Sequence, residues 1–223
     1  MRKALALFDF DGTLIPFDSI VRFCLFARAK GLCTPARLRK GAWAAVCYKL
    51  RLTTALRSKT AALSFLAGHS KQEISALSKA FYDEILAPAL RPKAKEALIR
   101  HRKNGDTILF ITASPSFYLE PFKEAWGVTE IIGTRADVDP SGIFTGLIGG
   151  ENCRGLEKPL RLAEYLAATG DRLDYDRSWA YGDSESDMPM LELCANRVAV
   201  NPGLRLRRKL RHLEGVTIAR WTD

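Results

Sequence analysis

Lys3 to Phe10 is an almost unbroken apolar run that stops at Asp11-Gly12, the pattern of a strand buried on both faces inside a parallel sheet. Short runs of the same kind recur at Thr107–Thr112, Ser178–Tyr181 and Arg197–Val200, with weaker ones near Ile131 and Val216. Between the later runs lie helix-period patterns, at Pro115–Trp126 and Pro159–Thr169. Alternation of this kind predicts an α/β fold, a Rossmann-like doubly wound parallel sheet with crossover helices. Arg135–Gly150, with Asp-Pro-Ser-Gly at its centre, reads instead as a hairpin.

One long stretch interrupts the alternation. From Phe17 to Gly105 the apolar positions keep helical spacing at about 18–30, 35–50, 53–67, 71–86 and 92–104, and Gly31, Gly68 and Pro88 punctuate them. The expected organisation is therefore an α/β core formed by residues 1–16 and 106–223, with a helical insert at 17–105. Size changes nothing here, since 223 residues suit one domain carrying an insertion.

Charge does change the picture. The chain carries +9, and the inserted stretch holds the excess, with Lys and Arg outnumbering Asp and Glu by more than three to one. No acidic residue occurs from Ser19 to Gln72. A field of that sign attracts anions, whether a phosphorylated small molecule, an acidic membrane surface or nucleic acid. No apolar run reaches the roughly 18 residues of a membrane span. Asp9 and Asp11 interrupt the first apolar run too early for a signal peptide. The five cysteines show no CxxC pair and are expected as reduced, buried thiols of a cytoplasmic protein.

The candidate chemistry lies at strand ends, where ligands bind in open α/β sheets. Asp9-Phe10-Asp11-Gly12-Thr13 closes the first strand, and alternation would place Asp9 and Asp11 on one side with Phe10 in the core. Two close carboxylates are costly unless a cation or proton sits between them. An Asp-Gly turn alone explains Asp11 and Gly12 but leaves Asp9 stranded. Gly182-Asp183-Ser184-Glu185-Ser186-Asp187 follows a second buried strand, and an oxygen-rich set of this kind suits Mg²⁺. Helix capping would need only one of those residues. Thr112 ends another run before Ala113-Ser114-Pro115, and Lys158 precedes a helix; a hydroxyl, backbone N–H groups and a cation together make a phosphate cradle.

In that order, the four motifs resemble the haloacid dehalogenase superfamily, in the subfamily that includes phosphoserine phosphatases. The inserted helices resemble the small cap of that family. The resemblance implies Asp9 as nucleophile forming an aspartyl-phosphate, and Asp11 as the acid and base. It implies Mg²⁺ held by Asp9, the backbone carbonyl of Asp11 and Asp183, with Asp187 in support. Thr112, the Ala113 N–H and Lys158 would hold the phosphate. Asp18 falls near a substrate-recognising Glu of phosphoserine phosphatases, and Lys59 falls where they carry an Arg. A lysine does not reproduce the planar fork that grips a carboxylate.

The implied activity is a Mg²⁺-dependent phosphomonoesterase acting on a small phosphorylated metabolite or a phospholipid phosphate. Gly150–Lys158 also resembles the related phosphatidylglycerophosphate phosphatases. A phosphotransferase using the same aspartyl-phosphate is the alternative. A basic nucleic-acid-binding protein is a third reading, but no zinc, RNA-recognition or helix-turn-helix signature stands out, so no nucleic acid is expected. The stripe Trp43, Val46 and Leu50, flanked by Arg39, Lys40, Lys49 and Arg51, has two readings. It is expected to pack the interior of the cap, and the alternative is weak contact with an anionic membrane surface. Arg205–Arg211 reads as a solvated helix face.

Overall fold

The computed structural model describes residues 1–222. The chain opens with β1 (Arg2–Lys3) and β2 (Leu5–Phe8). Helices α1 (Ser19–Ala29), α2 (Pro35–Lys49), α3 (Ala55–Leu63), α4 (Lys71–Phe81), α5 (Ala87–Ala89) and α6 (Pro92–Asn104) follow. Then come β3 (Thr107–Pro115), α7 (Pro121–Trp126), β4 (Glu130–Thr134), β5 (Ala136–Val138) and β6 (Phe144–Ile148). The chain continues through α8 (Glu157–Thr169), β7 (Arg172–Leu173), β8 (Trp179–Gly182), α9 (Met188–Leu191), β9 (Asn196–Val200), α10 (Leu204–Leu210) and β10 (Val216–Ala219).

Six strands form a wholly parallel sheet in the order β10-β9-β8-β2-β3-β4. The fold is therefore the expected Rossmann-like α/β architecture. Strand order runs outward in both directions from β2, which makes the crevice between β2 and β8 a topological switch point. The first apolar run is not one strand. Arg2–Lys3 pairs with Arg172–Leu173 in a separate ladder, and only Leu5–Phe8 enters the main sheet, leaving Asp9 just beyond its end. Pro115–Trp126 is likewise not one helix. Ser116–Tyr118 forms a single 3₁₀ turn, and α7 starts only at Pro121, where a ring without an N–H is tolerated.

Local chemistry sets the helices of the inserted stretch. Asp18, Thr34, Thr54 and Ser70 each accept a backbone N–H at a helix start, and Ser70 with Glu73 completes a reciprocal capping box. These helices split between two supports. The aromatic rings of α1 and α4 meet the strand-end turn, with Phe23 and Phe81 at 4.9 and 5.6 Å from Tyr118. The hairpin β5–β6 meets the same stretch from the other side, through Gly68 N–H to the Phe144 carbonyl and Phe144 N–H to the His69 carbonyl. Helix α6 instead lies on the sheet. His101 is buried, stands edge-on to Phe8 and bonds the Tyr181 hydroxyl at 2.8 Å, so this helix packs with the sheet although it falls within 17–105.

Two surface expectations part ways. On α10, Leu206 and Leu210 are buried while the basic residues stay exposed, the solvated face read from sequence. On α2, however, Gly41 is the sole buried residue, and Trp43, Val46 and Leu50 are exposed. The stripe does not pack the interior of the cap. Gly41 is the reason: a Cβ there would stand 2.9 Å from the Ala62 Cα, so α2 crosses α3 on its glycine side and turns the stripe outward. Among the described residues no helix is long and apolar enough to cross a membrane. Cys24, Cys33, Cys153 and Cys194 are free and buried, and Cys47 is free and partly exposed.

Candidate active site

Asp9 follows β2, Asp183 follows β8, and Lys158 sits in the first turn of α8. These elements converge on the switch point. Lys158 Nζ lies 2.7 Å from Asp9 Oδ1 and 2.6 Å from Asp187 Oδ1, and the lysine is entirely buried. Burial alone would lower its pKa, but the two carboxylates outweigh that and hold it above the ordinary lysine range. Asp187 is fixed from its other side, where Oδ2 accepts the Ser184 N–H at 3.0 Å and its hydroxyl at 2.8 Å. Asp9 is held from the backbone, its N–H donating to the Tyr181 carbonyl at 2.9 Å.

Carboxylate oxygens of Asp9, Asp183 and Asp187 lie within 4.8 Å of one another. Three carboxylates thus gather beside one ammonium, which contacts only Asp9 and Asp187. Burial, then the charge of Asp187, pushes Asp9 up to about 6. Burial, then the charges of Asp9 and Asp187, pushes Asp183 up to about 7. Hard, anionic oxygen donors packed this closely suit a divalent cation such as Mg²⁺, whose charge would relieve both shifts. Glycines make the room. Gly12 adopts φ 79°, and a Cβ there would collide with the Asp183 carboxylate. A Cβ at Gly182 would overlap Asp187 in the same way.

Asp11 belongs to a different network. Its carboxylate turns away from the other three, accepting the Ser19 N–H at 3.0 Å and the Ser114 hydroxyl at 2.5 Å. Ser19 Oγ lies 3.1 Å from Ser114 Oγ and 2.8 Å from the Tyr118 hydroxyl, so a buried chain of hydroxyls leads to this carboxylate. Burial, then the charge of Asp18, raises Asp11 to about 7 against those hydrogen bonds. Strand alternation had placed Asp9 and Asp11 on one side. The chain leaves the sheet at Phe8 and turns through Gly12, so regular alternation no longer applies and the two carboxylates acquire separate partners.

Thr112 and Ala113 lie towards the end of β3, where its pairing with β4 becomes irregular, next to Ser114. Thr112 Oγ1 accepts the Ser114 N–H at 3.1 Å. The Ala113 carbonyl accepts from Thr134 Oγ1 at 2.6 Å and from the Lys59 ammonium. Lys59 reaches over from α3 and also donates to Asn152 Oδ1 at 2.6 Å. Burial pushes its pKa down to about 8. Asp18 is exposed, and its carboxylate caps α1 through the Ile20 and Val21 N–H groups at 3.1 and 3.4 Å. A groove of about 620 Å³ between α4 and α7 is lined by none of these residues.

Sequence reading missed Ser19, Ser114, Thr134 and Asn152. For Thr134 a signal existed, because it ends the apolar run at Ile131-Ile132 as Thr112 ends its own. Ser19 and Asn152 carried no comparable pattern, and only the fold brings them to the strand ends.

A lysine–carboxylate cluster thus lies at the switch point of the parallel sheet, and comparison with known proteins gives the family. Residues 6–192 match the haloacid dehalogenase-like hydrolase family, and the chain belongs to it. It is 31% identical over 214 residues to a histidinol-phosphatase of Neisseria meningitidis, covering 93% of this chain and 94% of that protein. A phosphoserine phosphatase of Mycobacterium tuberculosis is 32% identical over 208 residues, covering 92% of this chain and 67% of that one. A solved protein of unknown function from Bordetella pertussis Tohama I superposes with a TM-score of 0.84 at 30% identity, over 95% of this chain and 96% of that one.

Proposed function

We propose that this phosphatase-type hydrolase cleaves small phosphate monoesters through an aspartyl-phosphate on Asp9, in an active site that Mg²⁺ completes. The observation that carries the reading is the carboxylate cluster of Asp9, Asp183 and Asp187, two of which grip the buried Lys158. Asp9, Asp183 and the backbone carbonyl of Asp11 would hold the metal, with Asp187 in support. When bound, the cation supplies positive charge that lets an anionic nucleophile approach an anionic phosphate.

The residues of this chain divide the remaining work. Asp9 attacks phosphorus and forms an O–P bond as the ester O–P bond breaks, and the departing oxygen takes a proton from Asp11. Water then attacks the same phosphorus and gives its proton to Asp11. The bond to Asp9 breaks and inorganic phosphate leaves. Lys158 and the hydroxyl of Thr112, with the Ala113 N–H, hold the phosphoryl oxygens. Ser114 and Ser19 position the Asp11 carboxylate. Helices α1 to α4 act as the cap over this site, and Lys59, reaching the Ala113 carbonyl from the cap, stands where the rest of the substrate would lie. Asp18, at the start of α1, borders the same region.

The substrate class follows from likeness. The Neisseria and Mycobacterium relatives are named for histidinol phosphate and phosphoserine, so a small phosphorylated amino compound is the first candidate. Phosphate release with Mg²⁺ tests the proposal. Asp9→Asn is expected to lower turnover by a factor on the order of 10⁴ or more, as loss of a covalent nucleophile does. Turnover retained within tenfold would remove Asp9 from that role, and indifference to EDTA would remove the metal. Transfer of phosphate to an added alcohol, with none released to water, would make the protein a phosphotransferase instead.

A further inference from the structure

The outer face of α2 holds apolar side chains where a helix in a water-facing position carries polar ones. Trp43, Val46 and Leu50 are 68%, 45% and 62% exposed, and their spacing of three and four puts them on one face. Arg51 then turns the chain at φ 62°, and Leu52, 74% exposed, follows the stripe. Arg39, Lys40, Lys49 and Arg51 are all exposed around it. Lys40 and Lys49 lie about a quarter turn to either side of the apolar row, from the helical period alone.

We propose that this face of α2, with the Arg51-Leu52 corner, docks on an anionic phospholipid surface. An apolar row flanked by cations matches such a surface twice over: Trp and Leu enter the headgroup boundary, and the lysine and arginine stems reach past them to lipid phosphates. Charge selects this occupant over others. No acidic residue occurs from Ser19 to Gln72, so a second copy meeting this face symmetrically would bring cation against cation. A nucleic acid would satisfy the cations and leave the Val46, Leu50 and Leu52 row in water. The helix lies on the surface and does not enter it lengthwise, since no described helix is long and apolar enough to span.

The inner side of α2 faces the active-site loops, and this contact does not depend on the phosphatase reading. Tyr48, also on α2, accepts a hydrogen bond from Arg154, whose loop leads directly to Lys158. By the helical period Tyr48 lies nearly opposite the Trp43, Val46 and Leu50 row, so α2 itself would stand between a bound membrane and the loop that enters the site.

The test uses the full chain and vesicles of phosphatidylcholine with or without phosphatidylglycerol, read by co-sedimentation. Binding is expected only with phosphatidylglycerol and should weaken as salt rises. Trp43→Ala combined with Leu50→Ala should weaken it by about tenfold or more, since both apolar contacts go. Lys40→Gln and Lys49→Gln should each weaken it about fivefold. All of these side chains are exposed, so melting curves and turnover of a soluble phosphate ester serve as controls that should not change. Absence of binding to phosphatidylglycerol vesicles would overturn the proposal, as would binding that the Trp43/Leu50 double variant leaves intact. Loss of self-association or of oligonucleotide binding in that variant, with vesicle binding unaltered, would reassign the face to a second copy or to nucleic acid.

Discussion

The switch point of the sheet and the outer face of α2 invert the usual rule of burial in opposite directions. At the first, Asp9, Lys158 and Asp187 are buried and charged. At the second, Trp43, Val46 and Leu50 are apolar and exposed. The two inversions differ in what keeps them. Buried charges persist only because each is paired, so removing one partner strands the others. Exposed apolar groups need no partner within the fold, and their removal changes little of it. Stability measurements should therefore separate the two regions sharply.

Lys158→Met should have the largest effect. It leaves Asp9 and Asp187 buried without their shared ammonium, and a loss of about 3–5 kcal/mol is expected from urea melts in EDTA. A loss below about 1 kcal/mol would mean that the carboxylates relax by taking protons, and the comparison would weaken. Gly12→Ala comes next. The left-handed backbone alone costs about 1–2 kcal/mol, and the collision with Asp183 adds displacement of a carboxylate from the acidic cluster. The expected result is a destabilised protein whose Mg²⁺ requirement rises. Unchanged Mg²⁺ dependence would detach Gly12 from the metal site.

Lys59 gives an effect that depends on pH. Its folded pKa of about 8 lies below the ordinary lysine value near 10.4, so between those values the unfolded chain binds more protons at this group. Stability of the natural protein relative to Lys59→Met should therefore rise from pH 8 to pH 10, by about 2 kcal/mol. A difference that stays flat would show that its oxygen partners, the Ala113 carbonyl, Asn152 Oδ1 and Thr134 Oγ1, keep the ammonium charged throughout. Smallest of all is Trp43→Ser, for which a change within about 0.5 kcal/mol is expected in the same melts. A larger loss would mean that the stripe supports the fold after all.

Much of the candidate cluster is legible in the sequence. Asp9, Asp183, Asp187 and Lys158 all stand at the carboxyl end of an apolar run or at a helix start. That position follows from local pattern, because a buried parallel strand must end where polar residues begin. Helix starts were equally open, since Thr34, Thr54 and Ser70 act through their own following residues. Less local facts stayed hidden. Whether α6 packs with the cap or the sheet depends on His101 meeting Tyr181, eighty residues away. The direction of the α2 stripe depends on which side of the helix Gly41 offers to Ala62.

The sequence by itself determined the parallel sheet, the helical insertion, the hairpin and the acidic strand ends, because periodicity and turn chemistry act over a few neighbouring residues. Tertiary structure decided that Asp11 would face Ser19 and Ser114 while Asp9 faces Lys158, and that Lys59 would reach the Ala113 carbonyl. It also left the Trp43 face uncovered. Those outcomes depend on the crossing of elements distant along the chain, and hydrophobic spacing states that a helix has an apolar face without stating what will cover it.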